Sequence, residues 1–250
     1  MGFWIALQFL TVFPVPGRFV AKMAHIGESI VYFPIVGLFL GIILALLSWA
    51  LNFILPLQVT SIIIVIALAS LTGAHHLDGL ADTYDGMVAG KTVPERMAIM
   101  SDVKTGTFGI AAVTLVLLFK YSVLSADNVM LTQTLILMPV VSRWSMTCLL
   151  FVFPSAKKTG MGFSYKQGTT ANRFIIATVI TIAIAVVLSG WKGVVVLAAI
   201  WLISFCIGDR VRSRIGGITG DTCGAVNEIN EAMVPLFIII MAAAERICCG

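Results

Sequence analysis

Three aspartates stand in the segment TGAHHLDGLADTYDGM, residues 72–87, directly after the apolar run SIIIVIALASL. The spacing of Asp78, Asp82 and Asp85 places all three carboxylates on one face of a helix. Carboxylates this close repel each other unless a cation lies between them. Mg²⁺ binds carboxylate oxygens and usually holds substrate phosphates as well. The segment therefore predicts a magnesium site with a catalytic role; a solvated acidic helix end is the alternative interpretation.

A second polar cluster, VPERMAIMSDVKTGTFG, occupies residues 93–109. Glu95 and Asp102 are seven residues apart, which predicts one helical face and makes both candidate metal ligands. The basic residues Arg96 and Lys104 are candidates for substrate binding. Backbone amides at the start of the helix that follows Lys104 can also hold phosphate oxygens. The alternative is a short amphipathic surface helix followed by a turn.

A third cluster, RVRSRIGGITGDTCGAVNEINE at residues 210–231, combines arginines, glycines and acids. Gly216, Gly220 and Gly224 are each four residues apart, a spacing that fits close helix packing. The same glycines could instead cradle a phosphate, and both interpretations stay open. The candidate substrate-binding residues of this cluster are Gly217, Thr219, Gly220, Asp221, Glu228 and Glu231.

Arg143 lies within the apolar stretch MPVVSRWSM, where a charge is costly and indicates a function. The alternative is a structural ion pair with an acidic residue inside the membrane. Because the predicted spans given below contain no acidic residue, we expect Arg143 to face a polar cavity and to bind an anionic substrate.

The elements that must position these residues are strongly apolar. Of 250 residues, 59% are hydrophobic and only 11% are charged, with a mean hydropathy of +1.04. Since a soluble domain has about 25% charged residues, this composition excludes an ordinary soluble protein. The net charge of +4 comes without the basic stripe and interleaved aromatics that would indicate nucleic-acid binding. We expect residues 1–250 to form one membrane-embedded catalytic domain.

Seven apolar stretches are long enough to cross a membrane, which predicts an all-α, polytopic integral membrane protein with about seven transmembrane helices (range six to eight). The stretches lack the alternation of barrel strands and must therefore be helical in lipid. The predicted spans are Ile30–Leu55, Val59–Leu77, Phe108–Leu124, Leu131–Phe153, Phe174–Ser189, Val194–Gly208 and Ala232–Ala244. The stretch Phe3–Phe13 is too short to span and is predicted to be interfacial or re-entrant.

Charged residues are concentrated on one side of this predicted topology. Twelve of the sixteen basic residues precede the first span or follow the second, fourth and sixth spans, and ten of the twelve acids fall on the same side. The basic residues concerned are Arg18, Lys22, Lys91, Arg96, Lys104, Lys157, Lys158, Lys166, Arg173, Arg210, Arg212 and Arg214. By the positive-inside rule these segments are cytoplasmic, so the active site is predicted at the cytoplasmic mouth of the helix bundle.

These motifs, taken in order, make the whole chain resemble the cobalamin synthase family of adenosylcobinamide-GDP ribazoletransferases. The matching segments are LQFLTVFPVP (7–16), YFPIVGLFLG (32–41), TGAHHLDGLADTYDG (72–86), PERMAIMSDVKTGTFG (94–109), SRW (142–144) and GGITGDTCGAVNEINE (216–231). The family usually has leucine where His75 stands, so the matching histidine is His76, a candidate substrate-binding residue.

The resemblance implies a reaction and its partners. The 5′-hydroxyl of α-ribazole, or its 5′-phosphate, would attack the cobinamide-side phosphorus of adenosylcobinamide-GDP, with GMP as leaving group and Mg²⁺ as cofactor. The expected location is the cytoplasmic (inner) membrane of a prokaryote, in contact with membrane lipid and without nucleic acid. A homo-oligomer and an association with other cobalamin-assembly enzymes both stay open.

Two rival functions deserve comparison with this one. A CDP-alcohol-type membrane phosphotransferase also places aspartates on a membrane helix, but its signature continues Ala-Arg after Asp-Gly-x-x, whereas Asp82 follows Ala81 here. A non-enzymatic ion or corrinoid transporter would place its acids near the membrane midplane between inverted repeats. The sequence shows no internal repeat, and the acids fall in predicted connections.

Overall fold

The computed structural model of the chain describes residues 2–15, 23–126 and 131–249. Within these ranges the chain is helical and contains no β-strand. The α-helices are α1 (Gly2–Leu10), α2 (Phe33–Leu51), α3 (Leu57–Leu71), α4 (His75–Ala89), α5 (Val93–Ile99), α6 (Thr107–Leu124), α7 (Leu131–Val152), α8 (Met161–Gly168), α9 (Ala171–Ser189), α10 (Trp191–Ile215) and α11 (Gly220–Cys249). A 3₁₀ helix, Met23–Tyr32, leads into α2.

The predicted fold class, a polytopic all-α membrane protein, is confirmed. In the described part of the chain six helices are long and apolar enough to cross a membrane, and α3 with α4 can form a bent seventh span. The third and fourth predicted spans coincide with α6 and α7 to within one residue. The stretch Phe3–Phe13 contains only the nine-residue α1, which is too short to span, as predicted.

The second predicted span, Val59–Leu77, is not one continuous helix. α3 and α4 lie at 88° to each other. Gly73 and Ala74, which connect them, both adopt left-handed backbone conformations, and a right-handed helix cannot continue through such residues. The expectation of one continuous span to Leu77 is therefore wrong, and the aspartates lie on a separate helix. Asp78 lies in the first turn of α4, where the helix dipole favours a negative charge.

Helix α7 is the centre of the bundle and packs against α2, α9, α10 and α11. Nearly every residue between positions 134 and 150 of α7 is buried. The approach of α2 is close because Gly37 and Gly41 lie directly against the α7 backbone at Pro139 and Ile136. A side chain at either glycine would push the two helices apart, so these positions fix the frame around which the other helices pack.

Helix α11 begins at Gly220, far ahead of the predicted start of the last span at Ala232. Glu228 and Glu231 consequently lie within the helix and are buried. The expectation that no acidic residue lies inside a span is wrong. Hydropathy set the boundary of this span too late, because Asn227, Glu228 and Asn230 are buried and contact side chains of other helices.

Several connecting segments meet at one end of the bundle. Gly27, ahead of α2, lies against Gly168 at the end of α8. The amide of Ala156, after α7, donates to the carbonyl of Ile218, ahead of α11, at 2.8 Å. These are the segments that the charge count assigned to one side of the membrane. Three charged residues that were assigned to a side of the membrane lie outside the described residues: Arg18, Lys22 and Asp127.

Candidate active site

A cavity of about 610 Å³ opens where these segments meet. Residues from α1, the 3₁₀ helix, α4, α7, α8, the loop before α8 and the start of α11 line it. The lining residues that the sequence singled out as candidates are His76, Asp78, Thr219, Gly220 and Asp221. Lining residues that sequence reasoning missed include His75, Lys157, Phe163 and Tyr165.

Asp78, Asp82 and Asp221 form what we term the acidic cluster. Gly79 brings them together, because a side chain there would come within 2.9 Å of the Asp221 carbonyl oxygen and would separate α4 from α11. Asp78 is exposed and Asp82 is half-buried. Asp82 interacts electrostatically with Asp78, Asp221 and Asp85, all of the same charge. The cluster therefore concentrates negative charge beside the cavity.

Asp85 is buried and has different surroundings from Asp78 and Asp82. Its carboxylate oxygens accept hydrogen bonds from the backbone amides of Gly106, at 2.6 Å, and Gly109, at 2.9 Å. These amides lie at the N-terminus of α6, where orphan donors need an acceptor. Asp85 thus anchors α6 to α4. It has backbone partners that the structure does not show for Asp78 and Asp82, and its role as a metal ligand stays a prediction.

The donor chemistry of the acidic cluster fits Mg²⁺, although the described residues include no group of three His, Cys, Asp or Glu side chains arranged to hold a metal by themselves. Mg²⁺ is usually bound through one or two carboxylates and completes its coordination with waters and substrate phosphates. Asp78, Asp82 and Asp221 are the residues that would hold the ion. The roles of Asp78 and Asp82 as metal ligands stay predictions.

Positive groups lie directly beside the acidic cluster. The Lys157 ammonium lies 3.9 Å from the Asp221 carboxylate and is half-exposed. The start of α11 is capped by Thr219, whose hydroxyl accepts from the amide of Thr222 at 3.2 Å. A lysine and a helix N-terminus both favour phosphate oxygens. The third sequence cluster thus supplies a polar helix start to the cavity.

The glycines of the third cluster have different roles, so the helix-packing and phosphate-binding interpretations apply to different glycines. Gly224 lies against the backbone of His76 and serves helix packing. Gly220 lines the cavity, and the nearest atom to a side chain built there is 3.9 Å away. Gly216 ends α10 in a left-handed conformation, and Gly217 packs against the loop at Ala156. Gly220 and Gly224 both line the cavity, but a side chain at Gly224 would come within 3.2 Å of the His76 backbone, whereas Gly220 leaves room for a ligand.

The candidates of the second cluster lie away from the cavity. Glu95 is exposed and forms a capping box at the start of α5. Arg96 is buried and donates to the carbonyl of Met87 at 2.8 Å. Asp102 lies beyond the end of α5 and accepts from the amide of Lys104 at 3.1 Å. The expectation that Glu95 and Asp102 share a helical face is therefore wrong.

Four charged side chains form a buried ion cluster between α6, α7 and α11. The Lys120 ammonium lies 2.5 Å from the Glu228 carboxylate and also contacts Glu231, while Arg143 pairs with Glu231. None of the four side chains is more than 4% exposed. The expectation that Arg143 lacks an acidic partner is wrong. Two cations and two anions thus balance each other at a site buried within the protein.

Asn227 connects the buried ion cluster to the cavity wall. Its side-chain amide donates to Nδ1 of His76 at 3.0 Å and to Glu231 at 3.2 Å. Because His76 lines the cavity, Glu231 and its partners lie directly behind that wall rather than on it. The sequence signal that could have revealed this cluster is Lys120, a lysine in the last turns of an apolar helix with acidic residues available on another helix.

The fold and the site together define a multi-pass membrane protein with a charged cavity at one end of its helix bundle. Residues 2–239 match the family model of cobalamin-5-phosphate synthase. The chain is 35% identical to the adenosylcobinamide-GDP ribazoletransferase of Roseiflexus sp. (strain RS-1), over 97% of this chain and 90% of that protein.

Other proteins with that name are similar along nearly their whole length. The relative from Geotalea daltonii is 35% identical over 92% of this chain and 94% of its own. The relative from Desulforamulus reducens is 33% identical over 97% of both chains. The chain therefore belongs to the cobalamin synthase family, as its motifs predicted, and this membership supports a ribazoletransferase activity in cobalamin biosynthesis. No solved structure matches the chain.

Proposed function

We propose that this chain transfers the cobinamide phosphate of adenosylcobinamide-GDP to α-ribazole, or to α-ribazole 5′-phosphate, and releases GMP. The observation that carries the proposal is the acidic cluster beside a cavity that also contains Lys157 and the start of α11. A reaction at a pyrophosphate needs this combination of carboxylates for a metal ion and positive groups for phosphate oxygens.

The proposed reaction exchanges one phosphorus–oxygen bond for another. The 5′-oxygen of the acceptor forms a bond to the cobinamide-side phosphorus, and the bridging oxygen leaves with GMP. The hydroxyl proton of the acceptor is released. Adenosylcobalamin, or its 5′-phosphate, is the product. Such transfers depend mainly on holding the reacting atoms in line and on stabilising charge.

The residues around the cavity divide this work. Asp78, Asp82 and Asp221 would hold Mg²⁺, which supplies charge neutralisation at the pyrophosphate. Lys157 attracts the phosphate oxygens, and its position is fixed because Ala156 and Ile218 pair through their backbones. The start of α11 adds backbone amides for the same purpose. The protein thus contributes position and charge.

A reconstituted assay tests the proposal. The purified protein in detergent is incubated with adenosylcobinamide-GDP, α-ribazole and Mg²⁺, and GMP and cobalamin are quantified by chromatography. We expect both products in equal amounts. A CDP-alcohol-type phosphotransferase would instead release CMP from a CDP-linked substrate, and a transporter would move corrinoid or cations into liposomes without releasing GMP.

We also propose that the cavity opens to the cytoplasm, since the basic connections lie at its end of the bundle. In a background without native cysteines, Lys91→Cys, Lys158→Cys and Arg212→Cys should react with a membrane-impermeant maleimide only after cells are permeabilised. The matched control is Phe53→Cys, at the exposed turn between α2 and α3, which should react in intact cells. The reverse labelling pattern would invert the proposed orientation.

A further inference from the structure

Two kinds of residue line the cavity, and apart from Gln8 they come from different elements. The charged and polar lining comes from α4, the loop before α8 and the start of α11, with Gln8 of α1 as one further polar side chain. The second kind we term the apolar wall. It consists of Ile5, Phe9, Ile26, Met146, Phe163 and Tyr165. A ligand that fills this cavity must therefore be apolar at one end and polar at the other.

The apolar wall is rich in aromatic rings with a fixed arrangement. The rings of Phe9 and Tyr165 have centroids 4.5 Å apart, and Phe33 supports both from behind. Burial raises the pKa of Tyr165, and its hydroxyl interacts with Ser29. The tyrosine oxygen is thus occupied within the protein, so the wall presents mainly ring and aliphatic carbon to a ligand.

We infer that the apolar wall binds the flat aromatic base of the acceptor nucleoside, with the ribose and its 5′-hydroxyl toward the acidic cluster. This inference rests on the proposed function. The base of α-ribazole is a fused aromatic ring with methyl groups and no exocyclic donor, so aromatic and aliphatic carbon is its natural partner. Stacking of a base on an aromatic side chain contributes substantially to affinity and needs no hydrogen-bond readout.

The other parts of the substrates fit the apolar wall less well. Guanine carries donors and acceptors along its edge, and burying them unpaired against carbon would weaken binding. The corrinoid is several times larger than a nucleoside, whereas pockets of this size enclose ligands of drug-like dimensions. The nucleoside acceptor is thus the component whose size and polarity both agree with a cavity of about 610 Å³.

Phe163→Ala is the variant that tests this subsite, because the side chain lines the cavity and is only half-buried, so folding should tolerate its loss. We expect the KM for α-ribazole to rise about tenfold, with the KM for adenosylcobinamide-GDP unchanged. Calorimetric titrations should likewise show weaker binding of α-ribazole and unchanged binding of GMP. Phe119→Ala, at a partly exposed site on α6, is the matched control and should leave both constants unchanged.

Two results would overturn the subsite. A rise in the KM for adenosylcobinamide-GDP and weaker GMP binding would assign the wall to guanine, and unchanged constants for both substrates would make the wall structural. Phe9→Leu, which keeps an apolar side chain, provides a second variant with the same expected direction. If α-ribazole binds the wild type and loses affinity in Phe163→Ala while no GMP is ever released, the subsite stands and the proposed function fails.

Discussion

Asp82→Asn is expected to reduce the rate of GMP release by about 100-fold or more, the scale of losing one strong charge-stabilising group in an active site. Asp82 lies on α4 among the charges of Asp78, Asp221 and Asp85, so its carboxylate is the centre of the acidic cluster. Asparagine keeps the size of the side chain but removes the charge that would hold Mg²⁺. The measurement is kcat for GMP release at saturating Mg²⁺, with folding monitored by thermal unfolding in detergent.

Two further aspartates make this experiment specific. Asp78→Asn should resemble Asp82→Asn, with low activity and ordinary or improved stability, because like-charge repulsion is relieved. Asp209→Asn is the matched control: Asp209 forms an exposed ion pair with Arg212 and should retain full activity. Normal activity and normal Mg²⁺ dependence in the double variant Asp78→Asn/Asp82→Asn would remove the acidic cluster from the mechanism.

Asp85→Asn should behave differently from the other aspartate variants. An amide offers one acceptor oxygen where the carboxylate of Asp85 accepts from both Gly106 and Gly109. The loss of one such hydrogen bond at a buried site costs roughly 1–3 kcal/mol. We expect a lower midpoint of thermal unfolding, and normal activity per amount of folded protein. If stable, folded Asp85→Asn protein loses as much activity as Asp82→Asn, Asp85 is instead a metal ligand.

The contrast among the aspartates shows what the sequence could predict about the site. Spacing of four and three residues correctly indicated a common helix for Asp78, Asp82 and Asp85, because periodicity depends only on local geometry. Spacing could not indicate that amides at the start of α6 would donate hydrogen bonds to Asp85, since that contact joins segments more than twenty residues apart. Nor could it place Asp221 beside α4, which depends on the crossing at Gly79.

The fold was predictable to the extent that hydropathy reports lipid contact. Spans that face lipid, such as α6 and α9, were found to within a few residues. The boundaries were wrong where polar or charged residues continue a helix, as in α10, which runs to Ile215 rather than Gly208, or where the backbone bends. Gly73 and Ala74 bend the second span by a left-handed conformation that hydropathy does not register. Glu228 and Glu231 made the start of α11 look like a loop, although their partners lie on α6 and α7.

The apolar wall escaped sequence reasoning for a related reason. Phe9, Phe163 and Tyr165 lie on short helices outside the spans, where aromatic residues indicate nothing specific about a ligand. In the sequence, Lys157 indicates only the orientation of the chain in the membrane. In the structure, the pairing of its loop with the segment before α11 places Lys157 near Asp221 and makes it a candidate phosphate ligand.

The buried ion cluster leads to the second large expected effect, which concerns stability. Glu231→Gln would leave Lys120 and Arg143 with a single carboxylate, that of Glu228, at a buried site. Breaking a buried pair by removing one partner destabilises a protein by about 3–5 kcal/mol. We therefore expect a large fall in the free energy of unfolding, measured by titration with denaturing detergent in mixed micelles.

Glu245→Gln is the matched control for that change, because Glu245 pairs with Lys192 where both are partly exposed. The expected loss there is below about 1 kcal/mol. Equal stability of Glu231→Gln and Glu245→Gln would show that the buried charges do not depend on one another.

Variants of Arg143 then show whether this residue stabilises the fold or binds the substrate. If its guanidinium mainly balances Glu231, Arg143→Met should be strongly destabilising alone but much less so together with Glu231→Gln, since the double variant removes one charge of each sign. Arg143→Lys should retain part of the stability, although an ammonium cannot reproduce the geometry of a guanidinium. If all of these variants fold normally and only the KM for adenosylcobinamide-GDP rises, Arg143 binds substrate despite its burial. Because Asn227 joins Glu231 to His76 on the cavity wall, we also expect Glu231→Gln to lower kcat in the protein that remains folded.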